Sequence, residues 1–401
     1  MESRIKIHKA RGAYESARTS LPCQHRREFC YLLYQCGRVQ VTQPTVVPEQ
    51  YGLKTLSLLS ISHFLHRHLL WFLIAAYVIA VILPVPGLWI RDVSFGEISI
   101  FQQRTSASLL MVMLAMLMFN AGLGLKSSDL ADLMQKKYLL LAGLAANLII
   151  PIIYIYGMTI AMRLWYEPFE VQYILVGLAL VAAMPIAGSS TTWVQNSNGN
   201  LALSLGLVFF SIILSPIVTP VTFNIFSEMA SEEYEKVLQG LAAYGSGSFL
   251  GVWVVLPSLL GIATRLMISK DWQTRGVPYL KLINAIVLLL LNYSNASVSL
   301  PQAMAERDFD FLAITLLITT GLCLTLFAAG HGLGRFFKLN RAEELSLMFG
   351  LGMNNNGTGL VLASLVLSSY PNIMVPIIFY NLVQHVVAGA VYEVMSRKEG
   401  A

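Results

Sequence analysis

Two polar islands lie in stretches of this sequence where almost nothing is ionisable. Between Val171 and Phe226 there is no Asp, Glu, Lys, Arg or His, yet the middle reads Gly188-Ser189-Ser190-Thr191-Thr192 and goes on to Gln195, Asn196, Asn198 and Asn200. Between Leu345 and Tyr392 there is no Asp, Glu, Lys or Arg, yet Gly350 to Gly359 reads GLGMNNNGTG. Hydroxyl and amide oxygens can ligate a hard cation, and the same groups can donate hydrogen bonds to an anion. The glycines, with Pro185, are expected to loosen a helix and free backbone carbonyls and amides. In hydrocarbon such groups are costly unless they face a cavity or each other. A half-helix starting at such a break adds a partial positive charge suited to a carboxylate or sulfonate. One Ser, Thr or Asn in a span is more often glue between helices. Two clusters at matching places in two halves of a chain point instead to a transport site between inverted repeats. The candidate binding residues are therefore Ser189, Ser190, Thr191, Thr192, Gln195, Asn196 and Ser204 in the first island, and Asn354, Asn355, Asn356 and Thr358 in the second.

Other polar residues in the apolar runs are few. Asn147 lies four residues before Pro151, Asn292 and Asn295 lie in a later run, and His385 follows Gln384. A histidine titrates near neutrality, so His385 is either a packing residue or a proton-coupling group. No acidic residue lies deep in a run: Asp129, Asp132, Glu167, Glu228 and Glu393 all fall at ends or in loops. A buried charge costs about 3 kcal/mol or more, and proton pumps and cation/proton antiporters usually keep one, so that class is disfavoured. The four cysteines (Cys23, Cys30, Cys36, Cys323) have no metal-ligand spacing and imply no disulfide framework. With no nucleophile–base pair and no metal cluster, the sequence does not read as an enzyme, and no enzymatic cofactor is expected.

The elements that must position these groups are membrane helices. The chain has 401 residues, 56% hydrophobic and 12% charged, with a mean hydropathy of +0.63. A soluble protein carries roughly 25% charge. The partner is then the lipid bilayer, and the basic residues are too dispersed to suggest nucleic acid. Residues 1–68 carry ten Lys and Arg and no long apolar run; they are expected to form a cytoplasmic, partly disordered extension, with no signal peptide. Ten runs long enough to cross ~30 Å follow, at about 69–90, 106–125, 138–162, 171–195, 200–226, 237–264, 278–299, 309–334, 343–366 and 371–395. With the N-terminus inside, 22 of the 27 Lys and Arg fall on the inner side, which predicts both termini in the cytoplasm and a plasma (inner) membrane location. Ten spans divide into five-helix repeats, 69–226 and 237–396. An odd number of spans inverts the second repeat and puts the islands in the fourth span of each. The expected fold is all-α.

Over residues 69–396 the chain resembles the bile acid:sodium symporter family. Met118-Phe119-Asn120-Ala121-Gly122-Leu123-Gly124-Leu125-Lys126, then Ser128-Asp129-Leu130, is similar to that family's MF-x-x-GL-x-L-K-x-SD signature. Pro185 to Ser204, with Ser215-Pro216 and Thr219-Pro220, resembles its first crossover segment and the proline-rich span after it. Gly352-Met353-Asn354-Asn355 resembles its G-x-Q-N crossover, with Asn354 in place of Gln; Gln384-His385 and Gly389 are similar to its last span. The resemblance implies a core domain with two crossing broken helices, a panel domain that moves against it, and alternating-access transport of a small organic anion, commonly with sodium. It implies oxygen ligands for sodium at Ser190, Thr191, Ser204, Asn147 and Asn354. The family's Glu two residues before the Gly of G-x-Q-N is Gly350 here, and its Thr on the following span is Val208. Loss of the charged ligand predicts weak, altered or absent sodium coupling. Proton coupling, an uncoupled facilitator or channel, and a non-transporting membrane sensor are the alternatives. The sequence does not fix the oligomeric state.

Overall fold

The computed structural model describes residues 64–65, 68–100, 103–124, 136–244, 249–367 and 369–397. The N-terminal extension with its three cysteines, and the segment holding Lys126, Ser128, Asp129 and Asp132, lie outside the described residues. All described residues fall in one compact unit, Lys54–Ala401. Its helices are α1 (Leu69–Ile82), α2 (Val85–Asp92), α3 (Leu109–Leu123), α4 (Lys137–Ala161), α5 (Pro168–Ala183), α6 (Ser189–Asn196), α7 (Leu201–Ser227), α8 (Glu232–Tyr244), α9 (Leu256–Met267), α10 (Lys270–Ala305), α11 (Phe309–Phe336), α12 (Arg341–Gly352), α13 (Asn356–Val366) and α14 (Met374–Arg397).

Local chemistry sets many of the boundaries. Ser108, Asn200, Asp308, Asn340 and Asn355 each accept a bond from the backbone N–H three residues on, at the starts of α3, α7, α11, α12 and α13. Among the described residues, five helices are long and apolar enough to cross a membrane: Lys137–Leu164, Leu201–Ser227, Tyr279–Ala305, Phe309–Phe336 and Pro371–Met395. A sixth span arises if α1 and α2 count as one, bent by 96°. The chain is thus an integral, multi-pass, mainly helical membrane protein.

The fold is mostly helical as expected, with one small sheet beside the helices: Ser94–Ile100 and Gln103–Ser108 form an antiparallel hairpin (β1, β2), pairing Ser94 with Ser108 and Ile98 with Thr105 around a bulge at Gly96, whose φ is +99°. Phe95, Ile98, Ile100 and Thr105 are residue types that suit strands, and a left-handed φ suits glycine. The run 69–90 is not one straight helix, because Pro84 and Pro86 cannot continue the α1 hydrogen-bond ladder. The run 237–264 is divided between α8 and α9, with Gly245-Ser246-Gly247-Ser248 in the sequence between them and a π-helical turn, Gly251–Val255, leading into α9.

The helices pack in two layers. In one, α1 and α2 lie on α10 and α3 lies on α9. In the other, α11 packs on α12, α14 and α4, and α7 packs on α4, α5 and α8. Gly122 and Gly261 permit the α3–α9 contact, since a Cβ at either would fall 2.0–2.1 Å from a backbone carbonyl oxygen of the other helix. The half-helix α13 touches both layers, packing on α10 and α3 and on α14 and α5.

Candidate functional site

The two islands meet. Helix α5 ends at Ala183 and α6 begins at Ser189; α12 ends at Gly352 and α13 begins at Asn356. The intervening segments run extended and pair antiparallel through Ile186 and Asn354. Ala187 N–H donates to the Met353 carbonyl at 2.9 Å and Asn355 N–H to the Pro185 carbonyl at 2.8 Å. Two helices broken in mid-course therefore cross, each completing part of the other's hydrogen bonding.

Backbone inside a membrane must find internal partners, and side chains from neighbouring helices provide the rest. Thr219 on α7 donates to the Ala183 carbonyl at 2.6 Å, and Ser211 accepts from Ile186 N–H at 3.0 Å. Asn354 donates from its side chain to the Val181 carbonyl at 3.0 Å, and its backbone N–H donates to Gln384 Oε1 at 3.0 Å. Tyr380 on α14 donates to the Gly352 carbonyl at 3.1 Å. Sequence alone did not single out Ser211 or Tyr380 for this role. Only tertiary packing brings them to the breaks, which lie 25 and 28 residues away.

The candidate residues divide by environment. Ser190, Asn354, Asn356 and Thr358 are at most 1% exposed. Ser190 Oγ, Asn354 Oδ1, both side-chain polar atoms of Asn356 and Thr358 Oγ1 have no hydrogen-bond partner among the described residues. Each unmet buried group costs about 1–3 kcal/mol, so five around one crossing are hard to account for as packing alone. Thr191 accepts from Ser204 Oγ at 3.2 Å, which brings two further candidates together. Asn355 caps α13 by accepting from Thr358 N–H, and its Nδ2 faces Met118 Sδ at 3.5 Å. Asn147, on α4, is buried with Oδ1 unpaired. It lies one turn beyond Gly143, where α4 packs on Leu207 and Leu347. Ser189 is half-buried, while Thr192, Gln195 and Asn196 lie on the exposed side of α6. His385 is buried beside Gln384, but the bond to the crossing runs through Gln384.

The glycines of the second island do not make the break, contrary to expectation. Gly350 and Gly352 lie inside α12, and Gly357 and Gly359 inside α13. They allow close packing: a Cβ at Gly352 would fall 2.2 Å from the Phe327 ring, and one at Gly359 3.2 Å from Met184 Cγ. A Cβ at Gly350 would point at Leu207 Cδ1, 3.0 Å away. The described residues of both breaks contain no carboxylate. Glu343 on the first turn of α12 is paired with Lys136 instead.

The model of the sodium bile acid symporter family matches residues 111–306. That segment holds most of α3, the first break and all of α10; the second break lies beyond it. The uncharacterized protein YbaS of Bacillus subtilis is 26% identical over 227 residues, 56% of this chain and 70% of its own. The uncharacterized sodium-dependent transporter YocS of the same organism is 24% identical over 260 residues, 64% of this chain and 74% of its own. Sodium/bile acid cotransporter 7 of Mus musculus is 24% identical over 288 residues, 68% of this chain and 78% of its own. Over residues 111–306 the chain is thus similar to the sodium bile acid symporter family, and the relatives that it matches include proteins named as membrane transporters.

Proposed function

We infer that this protein is a secondary transporter that moves a small organic anion by alternating access, with the crossing of the two breaks as its binding site. The observation that carries the reading is the group of buried, unpaired polar atoms on Ser190, Asn354, Asn356 and Thr358 beside two half-helix N-termini. Oxygens suit a hard cation, and helix N-termini suit a carboxylate or sulfonate. Ten spans in two inverted repeats, 69–226 and 237–396, are consistent with the two crossing breaks. The layer of α4, α5, α7, α11, α12 and α14 would be the core, and that of α1, α2, α3, α9 and α10 the panel. Both termini would be cytoplasmic and the membrane the plasma (inner) membrane.

Sodium, where it binds, has Ser190, Thr191, Ser204, Asn147 and Asn354 as its oxygen ligands. None is charged, and the Cβ direction of Gly350 ends on Leu207. Coupling is therefore weak or lost, which favours a second reading, an uncoupled facilitator on the same fold.

The test is uptake of bile-acid conjugates and small carboxylates into proteoliposomes, with and without a sodium gradient. Ser190→Ala, Thr191→Ala, Asn354→Ala and Asn355→Ala are expected to impair saturable uptake while folded protein remains in the membrane. Normal uptake in all four would overturn the site. Uptake that ignores the gradient would select the facilitator, and binding without flux a sensor.

A further inference from the structure

One hydrogen-bonded chain joins the two layers and ends on the backbone amide of Asn354 at the crossing. Asn381, on α14 one turn before His385, donates from Nδ2 to the Tyr77 hydroxyl at 2.8 Å and to Asn292 Oδ1 at 2.8 Å. Tyr77 on α1 donates in turn to Asn292 Oδ1 on α10 at 2.9 Å, closing a triangle between three helices. Asn292 Nδ2 is held by the Leu288 carbonyl of its own helix. Asn381 Oδ1 accepts from Gln384 Nε2 at 3.1 Å, and Gln384 Oε1 accepts the backbone N–H of Asn354. Asn354 is the residue that pairs with Ile186 at the crossing. Tyr77, Asn292, Asn381, Gln384 and Asn354 are all at most 6% exposed.

The layer of α1 and α10 presents one hydroxyl and one amide oxygen, and the opposite layer presents the single amide group that takes both. Sliding one layer past the other by a few ångströms breaks these bonds inside a dry boundary, where an unmet amide costs about 1–3 kcal/mol. Asn381 Nδ2 would then lose its acceptors, and the bond that Asn381 Oδ1 accepts from Gln384 Nε2 would no longer be fixed from the far side. The amide that Gln384 holds belongs to the binding crossing itself.

We propose that Asn381 is a positioning residue that couples the place of the α1–α10 layer to the geometry of the crossed breaks, through Gln384 and the Asn354 amide. The inference rests on the transport reading, because it assigns the link between layer movement and site shape. It makes the crossing tight while the layers are registered and loose when they part.

The test is hydrogen–deuterium exchange of the purified full chain, read on peptides covering Met353–Asn356. Tyr77→Phe removes one of the two acceptors of Asn381 without touching Asn354. It should speed exchange of the Asn354 and Asn355 amides by about threefold to tenfold, the opening expected for one lost hydrogen bond. Asn292→Ser, which removes the other acceptor together with the partner of Tyr77, should do so more strongly. Tyr293→Phe is the control: its hydroxyl ties α10 to the Leu83 carbonyl at the end of α1, within one layer, and does not reach Asn381. It should leave these amides unchanged. Equal acceleration by Tyr293→Phe would mean general loosening and would overturn the proposal. So would unchanged exchange in both Tyr77→Phe and Asn292→Ser. Exchange is read without substrate, so the coupling is tested even in a chain that fails to move organic anions. Conversely, uptake with unchanged exchange rejects the coupling alone.

Discussion

Ser190 and Thr191 stand next to each other on α6, yet only Thr191 has a polar partner, Ser204. If Ser190 were glue between helices, truncating it would lower stability. Its hydroxyl is buried and unpaired, so Ser190→Ala should leave the melting temperature in potassium salts unchanged or raise stability by about 1 kcal/mol. The same variant should lose whatever stabilisation sodium gives the parent, which a paired melting experiment at equal ionic strength reads directly. A lower melting temperature in potassium would return Ser190 to packing. Asn355 separates cap from site in another way. Alanine there costs about 1 kcal/mol through the lost cap of α13, and this confuses any uptake result. Asn355→Asp keeps a capping oxygen and adds a negative charge at the helix start. Its melting temperature should match the parent while uptake of organic anions falls sharply, and anion uptake at parental rates would show that the substrate does not approach α13. That both polar islands mark helix breaks was legible in the sequence, because no apolar core needs so many polar side chains. Thr219, Ser211 and Tyr380 were not, because a hydroxyl in a span looks alike whether it bonds its own turn or a carbonyl on another helix.

Breaks and glycines tell different stories along α12 and α13. The sequence placed a break within Gly350–Gly359, and the chain does break there, but at Met353–Asn355, where no glycine stands. The glycines serve helix contact, and this ranks their substitutions. Gly352→Ala drives a methyl group into the Phe327 ring at 2.2 Å and should cost about 1–3 kcal/mol as overpacking, visible as a lower melting temperature. Gly350→Glu meets Leu207 at 3.0 Å and should accumulate poorly alone. Combined with Leu207→Ala, which removes the obstructing methyl groups, it should fold better than the single variant, because contacting sites are not additive. If the missing carboxylate is what weakened sodium binding, the double variant should gain a sodium-dependent rise in melting temperature. A folded double variant indifferent to sodium would count against the ligand-loss argument. Hydropathy located the apolar runs because burial in lipid demands them. It missed the hairpin after α2, the bend at Pro84 and the division between α8 and α9, since a window that averages apolar residues does not register where the backbone turns.

The turns of the chain gather at two ends. At one, Tyr370 donates to Glu233 at 2.7 Å, Asn372 to Glu306 at 3.0 Å and Ser231 N–H to Gln172 at 3.1 Å, which ties together the turns before α5, α8, α11 and α14. At the other, Asn200 N–H donates to the Ala342 carbonyl and Lys136 pairs with Glu343, which joins the turns before α4, α7 and α12. The first end is acidic. A cavity of about 570 Å³ there is lined by Tyr166, Glu167, Glu170, Glu306, Asp308 and Asn372, among others. Glu170 is 8% exposed and accepts from Trp165 Nε1 at 2.6 Å. Burial raises its pKa; the Trp165 bond opposes this, and the neighbouring Asp308 and Glu167 carboxylates add to the rise. Asp308 caps α11 by accepting from Phe311 N–H. A carboxyl whose pKa is higher folded than unfolded contributes stability below its unfolded value, and that contribution is lost as the pH rises through its folded value. The melting temperature should accordingly fall as the pH is raised from about 4 through the range where Glu170 ionises. Glu170→Gln keeps an acceptor for Trp165 and cannot ionise. It should flatten this fall and melt higher than the parent at neutral pH, with little change at the acidic limit. A parallel pH profile in the variant would mean that the strain of this acidic end is carried by another carboxylate, and Glu306→Gln would then be the informative substitution.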